Sequence, residues 1–183
     1  MPLTSAFGFA EQWQDALTAS HSRLYAVPSP PQVAAAFVLQ HLLSIPAQVS
    51  AFAALSGPWQ IDLGTLEDAS ISCDLAPGLY PQRLGFLSVQ AAAPEVEERI
   101  AGARTAYRDL ATAIAHGYPS PVKISSQQRF GMVEDLWEMA LREARASVER
   151  LAAPAVERRS CCFIYALPGA HECAGCPRAL TTG

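Results

Sequence analysis

SSQQRFGMVEDLWEMALREARASVERL, residues 125–151, is the stretch from which the fold is read. Phe130, Val133, Trp137, Ala140, Leu141, Ala144, Val148 and Leu151 recur at steps of three and four. Such a stripe belongs to an amphipathic helix that lays one side on a core. Ser125-Ser126-Gln127-Gln128 has the spacing of a capping box. Glu138 with Arg142 and Arg145 with Glu149 fit i,i+4 pairs on the outer side. Pro154 stops the run.

Upstream, the same period organises residues 94–117. Pro94 suits a first helical turn, and Glu95, Glu97 and Glu98 suit the positive end of a helix dipole. Val96, Ile100, Ala103, Tyr107, Leu110 and Ile114 form its stripe, and Gly117 fits the C′ position. Residues 59–90 change period. Trp59-Gln60-Ile61-Asp62-Leu63 and Ile71-Ser72-Cys73-Asp74-Leu75 alternate, Leu84 opens a short apolar run to Val89, and Gly64, Pro77-Gly78 and Pro81 punctuate. This reads as three short antiparallel strands. Near the start, residues 9–20 give a helix with Phe9, Trp13, Ala16 and Leu17 on one side. A second helix follows Ser29, with Pro30 and Pro31 in its first turn and Val33, Phe37, Val38 and Leu42 inward; Pro46 breaks it. A third short helix carries Val49, Phe52 and Ala53 and ends before Gly57-Pro58. The expected fold is α+β: a mainly helical single domain with a small antiparallel sheet. Residues 1–156 form the scaffold and residues 157–183 a cysteine-rich tail within the same unit.

Composition bounds the function. With 183 residues, half of them hydrophobic and 16% charged, the chain can bury one sizeable core. A net charge of −4 argues against nucleic-acid binding, which needs a basic face. The N-terminus carries Glu11 and Asp15 where an export signal would be apolar, and the longest apolar run, Val33 to Leu39, is far below the ~20 residues that span a bilayer. A cytoplasmic protein without a transmembrane segment is expected, and a reducing compartment keeps thiols available as ligands. No glycine-rich dinucleotide fingerprint follows a strand, so direct nicotinamide or flavin binding finds no support.

Four of the five cysteines, Cys161, Cys162, Cys173 and Cys176, crowd into the tail; Cys73, in an alternating stretch, reads as a small buried hydrophobe. The pattern is C-C-x10-C-x2-C. Four thiols can close on tetrahedral zinc or on a [2Fe–2S] cluster, and a pair of disulfides is a third reading. The C-x2-C half suits either metal. Adjacent cysteines are unusual on one tetrahedral ion, whereas a two-iron cluster offers four terminal positions that diverging neighbours can reach.

The run Arg158-Arg159-Ser160-Cys161-Cys162, then Tyr165, Pro168-Gly169 and Cys173-x-x-Cys176-Pro177-Arg178, resembles the C-terminal signature of FhuF-type ferric-siderophore reductases. Ala170 stands where a second glycine often follows that Pro-Gly. The resemblance implies that the four cysteines hold one [2Fe–2S] cluster and that electrons pass to iron(III) in a siderophore. It implies as partners a ferric siderophore, with hydroxamate oxygens suiting hard Fe(III), and an outside donor such as a ferredoxin or a flavoprotein reductase. A zinc-stabilised binding module and a cluster-bearing carrier for another partner are the competing functions.

Arg158, Arg159 and Arg178 bracket the cysteines in an otherwise acidic chain. Cations there would offset thiolate charge and raise a reduction potential; the alternative is a solvated basic end with weak surface pairs. His171 is a candidate for proton coupling beside the ligands, with an exposed bystander as the simpler reading. Trp59, Tyr80, Arg129 and Trp137 are candidates for a docking face, and each also reads as ordinary core or surface.

Overall fold

The structure, a computed structural model, describes residues 8–68, 70–153, 155–173 and 175–178. Its centre is helix α2 (Pro31–Ser56), which buries Val33 to Ala36, Val38, Leu39, Leu42, Leu43, Ile45, Ala47, Ala51 and Ala54 almost completely. Around it pack α1 (Ala10–Tyr25), α3 (Val96–Gly117) and α4 (Ser126–Glu149). Six buried alanines in α2 let these neighbours approach closely, and Leu and Ile fill the space between.

Pro46 does not break α2; the two expected short helices are one of 26 residues. Pro46 removes one backbone hydrogen bond, a local cost of about 3 kcal/mol. Burial of apolar side chains on both halves outweighs it. The same continuity makes α2 long and apolar enough to cross a membrane by length and composition, with 67% of that window buried inside the fold. The run Val33 to Leu39 understated this, because counting stops at Gln40 and His41. Packing by three helices accounts for its apolar character.

In α1 the buried side is Ala10, Trp13, Gln14 and Leu17; Ala16 is exposed and Phe9, the N-cap residue, is half-exposed. Helix α3 begins after Glu95, so Pro94 precedes the helix, and Gly117 is its last residue. Along α4 the cap is as expected, with Ser125 Oγ accepting from the Gln128 N–H. The stripe runs Met132, Val133, Leu136, Trp137, Ala140 and Ala144, whereas Phe130, Val148 and Leu151 are exposed at its ends. Arg150 in a left-handed conformation closes α4, and Pro154 lies outside the described residues.

Helices α3 and α4 run antiparallel, and their charges pair across the interface. Arg104 meets Glu134 and Glu138 at 3.2 and 3.3 Å, and Arg108 meets Glu134 at 2.7 Å. Arg145 lies 3.6 Å from Glu97, and Arg142 donates to the Ala155 carbonyl at 2.9 Å. The expected i,i+4 pairs thus give way to partners on other elements. Tyr107, donating to the Val133 carbonyl, and Tyr118, donating to Ala35, tie the helices internally.

Among the described residues the strands number four, in two nested two-stranded sheets. The inner one pairs β2 (Ile71–Leu75) with β3 (Pro81–Phe86); the outer one pairs β1 (Trp59–Ile61) with β4 (Val89–Ala91), both antiparallel. The single apolar run expected at 84–89 is divided at Leu87-Ser88, where Leu87 N–H bonds the Ser70 carbonyl and Ser88 accepts from Asp62. Cys73 in β2 is 2% exposed, and burial pushes its thiol up.

Candidate metal centre

A buried acid of the scaffold grips the start of the tail. Asp135 of α4, 2% exposed, accepts from the Arg159 N–H at 2.9 Å, the Ser160 N–H at 2.8 Å and the Ser160 hydroxyl at 2.6 Å. Two turns earlier on the same helix, the Gln128 amide donates to the Cys161 carbonyl. Residues 159–161 are therefore laid along α4 before the thiols are presented.

Arg158 is turned inward and is 5% exposed. Its guanidinium reaches Gln40 Oε1 on α2 at 3.1 Å, Ser160 Oγ at 3.5 Å and Cys173 Sγ at 3.5 Å, with Nε 4.0 Å from Asp135. That Nε has no hydrogen-bond partner, so its link to Asp135 is an ion pair alone. A buried cation facing a buried carboxylate and a sulfur satisfies the rule that interior charge must be paired.

Beyond Cys162, Phe163 takes a left-handed conformation and its N–H donates to Cys161 Sγ at 3.3 Å. A single 3-10 turn (Ile164–Ala166) and the bend at Pro168-Gly169 return the chain, with Leu167 buried beneath. The C-x2-C half closes with Cys176 N–H on the Cys173 carbonyl at 3.0 Å, and Arg158 N–H bonds the Gly175 carbonyl at 2.9 Å. Gly175 has φ +71°, and a Cβ there would stand 1.7 Å from the Val156 carbonyl oxygen. Only glycine fits both conditions.

The structure brings the four tail cysteines into one place, unlinked by disulfides. Cys162 and Cys176 are buried, Cys161 and Cys173 half-buried, and Cys162 Sγ lies 3.7 Å from Cys173 Sγ. Among the described residues no three Cys, His, Asp or Glu converge as on a single ion. Burial pushes the Cys161 and Cys173 thiols up. Among the neighbouring thiols Cys176 weighs most on Cys161 and Cys162 most on Cys173, while Arg158 pulls both the other way. Four thiols in one segment, one of them accepting from buried Arg158, are a donor set that fits a thiolate-ligated metal centre.

The other singled-out residues scatter. Arg159 binds through its backbone, and its exposed side chain borders a polar cleft with Glu134 and Glu138. Arg178 is exposed and stacks over the Tyr165 ring at 4.0 Å. His171 is exposed. The candidate docking residues do not share a face: Trp137 is in the core, Arg129 binds the carbonyls of Ala115, Tyr118 and Ile124, and Tyr80 is at the inner hairpin. Trp59 lines a groove of about 700 Å³ between α2 and the strands, with Val49, Phe52, Phe86 and Glu143 among its walls. Sequence reasoning missed Asp135, Gln40 and Gln128. A signal existed for the first: an acid packed among Met132, Val133, Leu136 and Trp137.

Residues 158–178 match the family model described as FhuF 2Fe-2S C-terminal domain. No curated protein and no solved structure matches the chain. The match assigns the tail a [2Fe–2S] cluster as cofactor, in place of zinc, and suggests an iron–sulfur function related to siderophore iron.

Proposed function

We propose that the chain is a ferric-siderophore reductase, with Cys161, Cys162, Cys173 and Cys176 holding the cluster. The observation that carries this is the FhuF-type match over residues 158–178, within which Cys162 Sγ lies 3.7 Å from Cys173 Sγ and buried Arg158 donates to Cys173. When bound, the cluster supplies one-electron transfer. An outside donor, a ferredoxin or a flavoprotein reductase, gives one electron, and siderophore-bound Fe(III) takes one and leaves as Fe(II). Fe(II) is the softer ion and binds hard oxygen donors less well, so the chelate lets go.

The residues define the conditions for that transfer. Arg158 offsets part of the charge of four thiolates and donates to Cys173 Sγ, both of which raise a reduction potential. Asp135 and Gln40 keep its guanidinium turned inward. Arg159, Arg178 and His171 sit farther out, as part of the surface a donor or chelate meets. A reducing cytoplasm, which keeps the thiols ready to ligate, is the compartment this reading requires.

The scaffold contributes the docking site. The groove beside Trp59 is walled largely by aromatic and aliphatic side chains, with Glu143 the one charged residue among its described lining. Three hydroxamates balance Fe(III), so a ferric trihydroxamate is neutral and suits such a wall; a triply anionic catecholate chelate does not. Gln40 and Asp135 hold Arg158, and Gln48 and Glu143, eight residues further along the same two helices, line the groove. At 1.5 Å per residue that is about 12 Å.

The test is to reduce the purified protein anaerobically, mix it with a ferric trihydroxamate and trap Fe(II). Reoxidation of the protein with matching Fe(II) release is expected. A protein that stays reduced with every ferric chelate offered, yet passes its electron to a redox protein, is a carrier instead.

A further inference from the structure

We infer that the two halves of the cysteine motif hold the cluster crosswise: Cys162 and Cys173 bind one iron, Cys161 and Cys176 the other. The inference rests on the [2Fe–2S] assignment and adds to it which thiols share a metal. The alternative is pairing within each half, with the C-C dipeptide on one iron and the C-x2-C turn on the other.

The first observation is a distance. Two thiolates on one tetrahedral metal at about 2.3 Å stand about 3.8 Å apart. Cys162 Sγ and Cys173 Sγ, from opposite halves, are at 3.7 Å. They have the spacing of two ligands on one iron.

The second is the local backbone of the C-C pair. Neighbouring side chains on a non-helical chain project to opposite sides. Residues 161 and 162 lie outside any helix, and the left-handed Phe163 that follows donates its N–H back to Cys161 Sγ at 3.3 Å. That contact holds the Cys161 thiol over its own turn while Cys162 points into the interior.

Crosswise pairing gives each iron one ligand from either half of the motif, Cys162 with Cys173 and Cys161 with Cys176. The irons are then inequivalent, because Arg158 donates to Cys173 and a neutral backbone N–H donates to Cys161.

Four single variants test this: Cys161→Ser, Cys162→Ser, Cys173→Ser and Cys176→Ser. A serine oxygen is a harder donor than a thiolate, favours Fe(III), and lowers the potential most at the iron that takes the electron. Wild-type protein is first assayed for two irons and two labile sulfides per chain. Zinc, or iron without sulfide, removes the premise before pairing is addressed. Each cluster-bearing variant is then titrated for its midpoint potential and examined, reduced, by electron paramagnetic resonance. Cys162→Ser and Cys173→Ser are expected to share one spectrum and one size of downward shift, and Cys161→Ser and Cys176→Ser another. Grouping of Cys161→Ser with Cys162→Ser, or with Cys173→Ser, overturns the inference. Where serine variants fail to retain the cluster, wild-type apoprotein is oxidised stoichiometrically and mapped by peptide mass spectrometry. A Cys162–Cys173 disulfide is expected first; a Cys173–Cys176 disulfide overturns the pairing.

Discussion

Asp135 has no reactive role, yet the tail depends on it. It accepts from three donors on residues 159 and 160 and faces the guanidinium of Arg158. Asp135→Ala leaves a buried cation and two buried N–H groups without their acceptor, so a loss of about 3–5 kcal/mol is expected. The check is urea denaturation of the cluster-bearing protein, with iron retention measured alongside; Asp135→Glu, which keeps the charge, should lose less. Gly175 is constrained in another way. An alanine there meets the Val156 carbonyl and must also adopt φ +71°. Gly175→Ala is therefore expected to purify with much less than the wild-type iron and sulfide, while far-ultraviolet circular dichroism still reports the four helices. Equal cluster content in both proteins would contradict that role for the turn. The cysteines were legible in the sequence because their relation is one of spacing along the chain. Asp135 was not, because the groups it binds lie 24 and 25 residues away and meet it only when the tail folds back.

At the scale of elements, periodicity located α3 and α4 to within a residue or two at their starts, since each has one apolar side. It failed on α2, which is apolar on almost every side and so offers no contrast for a period to show. Pro46 then looked like a boundary. Strand pairing was hidden for a related reason: alternation marks which residues face inward but not which strand lies alongside, and the nested order β1-β4 around β2-β3 follows from a long return. The α1–α2 contact carries a consequence for pH. His41 stacks on Trp13 at 5.7 Å, and burial pushes its pKa down to about 4 from 6.5. Between those values the unfolded chain binds the proton and the folded chain does not, so stability falls as pH is lowered through this window. The loss is roughly 2–3 kcal/mol by pH 4. Urea midpoints measured from pH 7 to pH 4.5 should decline in wild type and decline less in His41→Leu. Parallel declines would exclude His41 as the cause.

For the whole molecule, the scaffold and the tail must do separable jobs if the chain is a reductase. Arg158 and the thiols lie where α2 and α4 meet the tail, and the groove lies about 12 Å further along the same two helices. A substitution in the groove should therefore spare the cluster and weaken the substrate. Trp59 is the residue to change: it is 48% exposed, begins the outer strand pair, and supplies one of the groove's aromatic walls. Removing its ring strips a large apolar surface from a bound chelate at modest cost to the core, and a loss of about 1–3 kcal/mol in binding corresponds to roughly 5- to 150-fold. Trp59→Ala is expected to keep the wild-type visible spectrum and midpoint potential. The concentration of ferric trihydroxamate needed for half-maximal reoxidation should rise by that factor, with the rate at saturation little changed. Glu143→Gln, which keeps the groove's shape and removes its one carboxylate, should leave a neutral chelate almost unaffected and improve the use of an anionic one. Unchanged half-saturation in Trp59→Ala would move the docking site off the groove while leaving the cluster assignment standing. A changed spectrum would instead mean that groove and tail are mechanically one unit.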